Sequence, residues 1–179
     1  MCIRDSFAHG ADFCGTGCGI DLVGTKAWVH HNTIVRNDGD GAHTRCVAGG
    51  GIAVSQAGFQ TIEQNVIAFN SQNTYYGLRA GGGIWCASGT IYIRNNFSWQ
   101  NGGGDVLGDC ATAWQSDGNV SDDPYFCDSA AGDFTVASNS GVMTHPAGPL
   151  GAFPTAGCGP VDVQRSTWGA LKSKYSSDK

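Results

Sequence analysis

The chain is short of charge, of proline and of long apolar runs. Only 14% of its 179 residues are charged and just 5 are proline. No apolar run approaches the roughly 18 residues that a membrane-spanning helix needs, so no such span is expected. Basic residues number 10 against 15 acidic ones, giving a net charge of −5. Binding to a phosphate backbone draws its affinity from clustered Lys and Arg, so nucleic acid is not an expected partner. G-x-S-x-G, H-E-x-x-H and phosphate-loop motifs are absent, as is the paired C-x-x-C spacing of a zinc site.

Glycine and cysteine are plentiful. There are 28 glycines, and hydrophobic residues make up 41% of the chain. That is enough to build the core of one domain, while Asn, Gln, Ser and Thr must supply a surface that is polar without being charged. Of the 8 cysteines, Cys14, Cys18, Cys46, Cys86, Cys110, Cys127 and Cys158 lie mostly in Gly-rich connections. Disulfides formed in an oxidising compartment are the expected use. The odd number left after Cys2 fits a lost partner or one thiol buried in the core.

The opening MCIRDS, residues 1–6, allows the reverse translation ATG TGT ATA AGA GAC AGN, which resembles the end of a sequencing-library transposon adapter. These six residues are set aside from fold reasoning, and the chain is read as a fragment.

Self-similarity organises the rest. GIDLVGTKAWVHHNTIVRN spans residues 19–37, GIAVSQAGFQTIEQNVIAFN spans 51–70 and GIWCASGTIYIRNNFSWQN spans 83–101. The leading glycines Gly19, Gly51 and Gly83 are 32 residues apart at both steps (51 − 19 and 83 − 51). Every copy ends in a pair of asparagines: Asn32 and Asn37, Asn65 and Asn70, Asn96 and Asn101. Within the copies apolar residues alternate, as in Ile20 and Leu22, Ile52 and Val54, Ile84 and Cys86. Val29, Ile62 and Ile93 recur three residues before the first Asn of each pair. A period of two means short strands, and three of them per copy with turns between describe one coil of a solenoid.

Coils stacked in register hydrogen-bond to one another, and no coil is stable alone. Equivalent asparagines then form ladders. An Asn at an inner bend satisfies turn backbone with its side chain, tolerates a left-handed conformation, and bonds to the Asn above and below. The glycines serve the sharp turn entering each first strand.

This coil pattern, over roughly residues 13–126, resembles the right-handed parallel β-helix repeat proteins of bacterial surfaces and secretions, within the pectate-lyase-like superfamily. The resemblance implies an all-β fold, a single-stranded right-handed parallel β-helix of about four coils with an irregular C-terminal cap. The coils occupy residues 7–126, a capping segment 127–160, and a tail or linker 161–179 in which Thr167 can cap a short helix presenting Trp168, Leu171 and Tyr175. Asn119 stands where Asn96 stood one coil earlier, and Asp105 falls on the Ile84 position, so the register slips by a residue. The closing segment also resembles those of the family, and pairing of Cys127 with Cys158 follows from that resemblance alone.

The scaffold carries lyases, hydrolases and adhesins alike, so chemistry has to be sought residue by residue. A lyase needs carboxylates for Ca²⁺ and a basic residue to take a proton; a glycosidase needs paired acids on neighbouring coils. The outward first-strand ladder is Asp21, Ala53 and Trp85, which cannot hold a metal alone. On the second strand, His30, Glu63 and Arg94 are the candidate base, acid and clamp, with exposed charge neighbours as the plainer account. Asp38 and Asp40 imitate the start of a Ca²⁺ loop that also contains His43 and Arg45, but Gly49 stands where the closing Glu belongs. Calcium is thus the one cofactor suggested. Aromatics that could stack on a sugar are Trp85, Tyr92 and Trp99, with Tyr75 and Tyr76.

The expected function is a non-catalytic extracellular or bacterial cell-surface domain, monomeric, serving as stalk, adhesin or glycan-contact surface. The alternative is a fragment of a polysaccharide lyase or glycoside hydrolase whose catalytic coils lie upstream.

Overall fold

The computed structural model describes residues 2–4, 19–22, 26–39, 50–54, 58–72, 82–87, 90–115 and 117–161. Asp40, His43, Arg45, Tyr75, Tyr76, Cys14, Cys18 and Cys46 lie outside them, as does the tail from residue 162.

Strands dominate. A first short strand, β1 (Cys2–Arg4), is followed by β2 (Ile20–Leu22), β3 (Ala27–His30), β4 (Thr33–Val35) and β5 (Asp38–Gly39). The second copy repeats the series as β6 (Ile52–Val54), β7 (Phe59–Glu63), β8 (Val66–Ala68) and β9 (Ser71–Gln72). The third gives β10 (Ile84–Cys86), β11 (Thr90–Arg94) and β12 (Phe97–Trp99). Then come β13 (Val106–Gly108), helix α1 (Cys110–Trp114), β14 (Val120–Ser121), β15 (Phe126–Asp128) and β16 (Asp133–Val136).

Equivalent strands of successive copies pair in parallel, an arrangement compatible with a β-solenoid. One sheet runs β2-β6-β10-β13, a second β3-β7-β11, and a third β1-β4-β8-β12-β14. In register, Ile20 faces Ile52, which faces Ile84, which faces Val106, so β13 is offset by the expected residue. The segment Cys2–Arg4, set aside on sequence grounds, pairs beside β4, with Cys2 opposite Thr33; the unpaired edge of a parallel sheet is a ready template for an extended segment.

Inward side chains from all three sheets meet in one core containing Leu22, Val29, Ile52, Ile62, Ile84 and Ile93. Helix α1 packs against β10, β11 and β13 and adds Cys110, Ala113 and Trp114 to that core. Cys110 is bonded to Cys86, the inward residue of β10. Among the described residues a second disulfide joins Cys127 and Cys158, and both bonds are compatible with an oxidising, extracellular setting. Among the described residues no helix is long and apolar enough to cross a membrane.

The asparagines form two ladders. Asn32 Nδ2 donates to Asn65 Oδ1, Asn65 Nδ2 to Asn96 Oδ1 and Asn96 Nδ2 to Asn119 Oδ1, at 3.0 to 3.1 Å. In the second ladder Asn37 donates to Asn70, Asn70 to Asn101, and Asn101 to the carboxylate of Asp105. The left-handed conformation falls not on these asparagines but on the residue before each: His31, Gln64, Asn95, Arg36, Phe69 and Gln100 all have positive φ. Geometry explains the difference. The amides of Asn32, Asn65 and Asn96 each reach back over that residue to the carbonyl two positions earlier, as Asn65 Nδ2 does to Glu63 O at 2.9 Å, and this closes the bend.

The leading glycines answer to crowding. A Cβ on Gly51 would stand 2.6 Å from Gly83 O and 3.1 Å from Asn70 Nδ2. Glycine is required there because the next coil's backbone and the ladder both press on it.

Residues from Phe126 to Phe153 lie against the outer face of the third sheet. Val66 and Phe97 pack with Val136, Val142 and Leu150, and Val35 and Ala68 pack with Phe134. This is why TIV and VIA are buried along their whole length: a sheet covered on both faces reads as an unbroken apolar run.

Candidate functional site

With the third sheet covered, the outer face of β3-β7-β11 carries the largest exposed apolar side chains. Alternation sends Val29, Ile62 and Ile93 inward, so the residues before and after them face out. Register stacks these into rows across the strands. Trp28, Thr61 and Tyr92 form one row, and His30, Glu63 and Arg94 the next. On the other side of the first row, Phe59 stands opposite Thr90, with Lys26 immediately ahead of β3.

Trp28 and Phe59 are each 64% exposed and Tyr92 57%, although all three are large and apolar. Single exposed aromatics are ordinary, whereas a cluster of them marks a surface that meets something. Together with Lys26, Ala27 and Thr61 they line an open groove of about 710 Å³. Thr61, the smallest outward side chain of its row, leaves a gap between the two larger rings.

The row beside the groove holds one wall in place. Trp28 Nε1 donates to Glu63 Oε1 at 2.6 Å, and Arg94 Nε donates to Glu63 Oε2 at 2.5 Å. His30 stacks on the Trp28 ring, with centroids 4.1 Å apart, and its Nδ1 lies 3.0 Å from Nδ1 of His31. Glu63 is only 7% exposed, so its carboxylate is satisfied by these two donors rather than by water. The groove's indole is therefore fixed from behind by a ring and from the side by a buried acceptor.

The structure thus brings together His30, Glu63, Arg94 and Tyr92. Both Glu63 oxygens are engaged by protein donors, which makes this carboxylate an anchor for Trp28 and Arg94. The other stacking candidates lie elsewhere. Trp85 sits half-buried on β10 between Ala53 and Leu107, and Trp99 packs beside Val35, Ala68 and Phe134 under the C-terminal segment. Asp38 belongs to β5, where its backbone pairs with Ser71, and Asp40 is outside the described residues. Among the described residues no group of three or more His, Cys, Asp or Glu is placed to hold a metal ion.

Of the groove's lining residues the sequence pattern singles out only Tyr92; Lys26, Ala27, Trp28, Phe59 and Thr61 are additions of the structure. For Trp28, Phe59 and Thr61 a signal was available, since each stands at an outward position of a strand whose inward residues the alternation gives. Only the register between copies shows that they share one surface with Tyr92.

Compared with protein-family models, with curated proteins and with solved structures, the chain matches none.

Proposed function

We propose that this chain is a non-catalytic, extracellular or cell-surface domain whose β3-β7-β11 face contacts glycan, built on a right-handed parallel β-helix of about four coils like those of the pectate-lyase-like superfamily. The observation that carries the reading is the trio Trp28, Phe59 and Tyr92, held exposed around Thr61 in an open groove. A pyranose ring has a flat face of C–H groups that packs on an aromatic ring, while its hydroxyls reach the polar rim. Few ligands other than sugars ask for this mixture of flat apolar surface and scattered donors. Catalysis is not needed to account for any of these side chains.

Binding of the intact chain to an immobilised glycan panel tests the reading. Capture of one glycan class, lost in Trp28→Ala and Tyr92→Ala variants that still melt cooperatively, supports it. Uniform failure to bind any glycan removes it. The row His30, Glu63 and Arg94 keeps a second reading in view, a portion of a polysaccharide lyase or glycosidase. Release of unsaturated uronate ends by this chain, seen as new ultraviolet absorbance, would replace the first reading by the second.

A further inference from the structure

The spacing of the groove says what kind of glycan it takes, an inference that rests on the glycan-contact reading above. Two outward rows bound the groove. They contain Phe59 on one side and Trp28 and Tyr92 on the other, and they are two residues apart along the strands, about 6.6 Å. Trp28 belongs to β3, Phe59 to β7 and Tyr92 to β11. Walking across the sheet from strand to strand, an aromatic ring therefore appears on one wall, then on the opposite wall, then on the first again. Each step is one interstrand distance, about 4.8 Å, close to the advance of one pyranose in an extended 1,4-linked chain.

We propose that the groove binds a neutral, extended β-1,4-linked glycan lying across the strands, one sugar per coil, stacked in turn on Trp28, Phe59 and Tyr92. In such a chain each unit is turned half round relative to the last, so successive units offer opposite faces, as the alternating walls require. An α-1,4-linked glucan curls and leaves this straight groove after one ring. Charge argues for a neutral chain. Lys26 is the one charged residue lining the groove, and the positions matching it on the next two strands are Phe59 and Thr90. A polyanion with a carboxylate on every unit would meet a cation on one coil only. Arg94, in the next row, is paired with the Glu63 carboxylate, so the two together add no net positive charge beside the groove. The fixed indole of Trp28 loses little freedom on binding, which favours a rigid ribbon over a flexible ligand.

The test is a titration of the intact chain with cello- and chito-oligosaccharides, malto-oligosaccharides of equal length, and oligogalacturonate, followed by calorimetry. Affinity is expected to climb from monomer to trimer of the β-1,4 series and to level off beyond the reach of three rings. The malto-trimer should bind at least about tenfold more weakly, and Tyr92→Ala and Phe59→Ala should each weaken the β-1,4 trimer by about tenfold. Tyr92 and Phe59 are exposed enough for those variants to fold. Equal affinity for the α- and β-linked trimers, no dependence on length, or preference for oligogalacturonate would overturn the inference and leave the glycan-contact reading standing. No binding to any of the four series would overturn the inference, and the glycan panel described above then decides whether the glycan-contact reading stands.

Discussion

The indole N–H of Trp28 donates to the buried carboxylate of Glu63 at 2.6 Å, joining β3 to β7 across 35 residues of sequence. The bond ties an exposed ring to an acceptor that solvent hardly reaches. Its partner on the other side, Arg94, has a side chain that is 53% exposed. Water can serve the Arg94 guanidinium but hardly reaches the Glu63 oxygens. Arg94→Ala leaves Glu63 Oε2 without its donor and is expected to lower the urea midpoint by about 1 to 3 kcal/mol of stability, with the slope unchanged. Glu63→Ala removes the buried charge together with both bonds and leaves donors on two exposed side chains, so it should cost no more than Arg94→Ala. A clearly larger loss in Glu63→Ala than in Arg94→Ala would overturn this account.

Asn65 is a fully bonded rung in the middle of its ladder. Its amide donates to Val29 O, Glu63 O and Asn96 Oδ1, and its own Oδ1 accepts from the backbone and side chain of Asn32. Asn65→Ala leaves several buried groups without partners and is expected to cost about 3 to 5 kcal/mol or to prevent folding. Asn65→Asp keeps the shape but removes the donors and should fare no better. Asn32→Ala, at a rung with fewer bonds, should be milder. Thermal unfolding of the three variants decides whether bonding or mere volume sets the order.

Crowding and backbone conformation can be separated at three glycines. Gly51→Ala drives a Cβ into Gly83 O and is expected to be severely destabilising. Gly148 has φ of +94° with open space around it, so Gly148→Ala should cost about 1 kcal/mol from strain alone. Gly159 has neither constraint, and Gly159→Ala should be neutral. Denaturant midpoints that failed to rank in this order would refute the close-approach account of the leading glycines.

The two disulfides among the described residues differ in access. Cys86 and Cys110 are buried in the core, whereas Cys127 and Cys158 are partly exposed. Mild reductant under native conditions should open Cys127–Cys158 first, as read by alkylation and peptide mapping of those four positions. Replacing Cys86 and Cys110 together by Ala removes a loop closure of 24 residues, a loss of about 3 kcal/mol on the chain-entropy account. Simultaneous opening of both bonds would contradict the burial argument.

Much of this was legible in the sequence, because a stacked fold writes the same constraint into each copy. The spacing of Gly19, Gly51 and Gly83 gives the coil length, and the alternation about Val29, Ile62 and Ile93 gives the inward face. Where a feature depends on a contact between one group and another distant in the chain or on the backbone, the sequence is silent. Nothing in Asn32 announces that His31 takes the left-handed turn, since the deciding contact is an amide reaching back to a carbonyl. The runs TIV and VIA carry apolar residues on both faces and so announce a cover, but not which segment supplies it. Trp85 and Trp99 look as exposed on paper as Trp28 does. What separates them is the packing of Phe134 beside Trp99 and the register that sets Trp28 and Tyr92 around Thr61.

The Asp105 carboxylate that receives Asn101 also makes the stack one-way. Asn70 and Asn101 each take hydrogen bonds on the amide oxygen and pass one on from the nitrogen, but a carboxylate takes and gives nothing back. An asparagine placed beyond Asp105 would present its oxygen to another oxygen. Anyone wishing to lengthen this protein should therefore splice new coils among the existing three copies and leave the Asp105 end as its terminus.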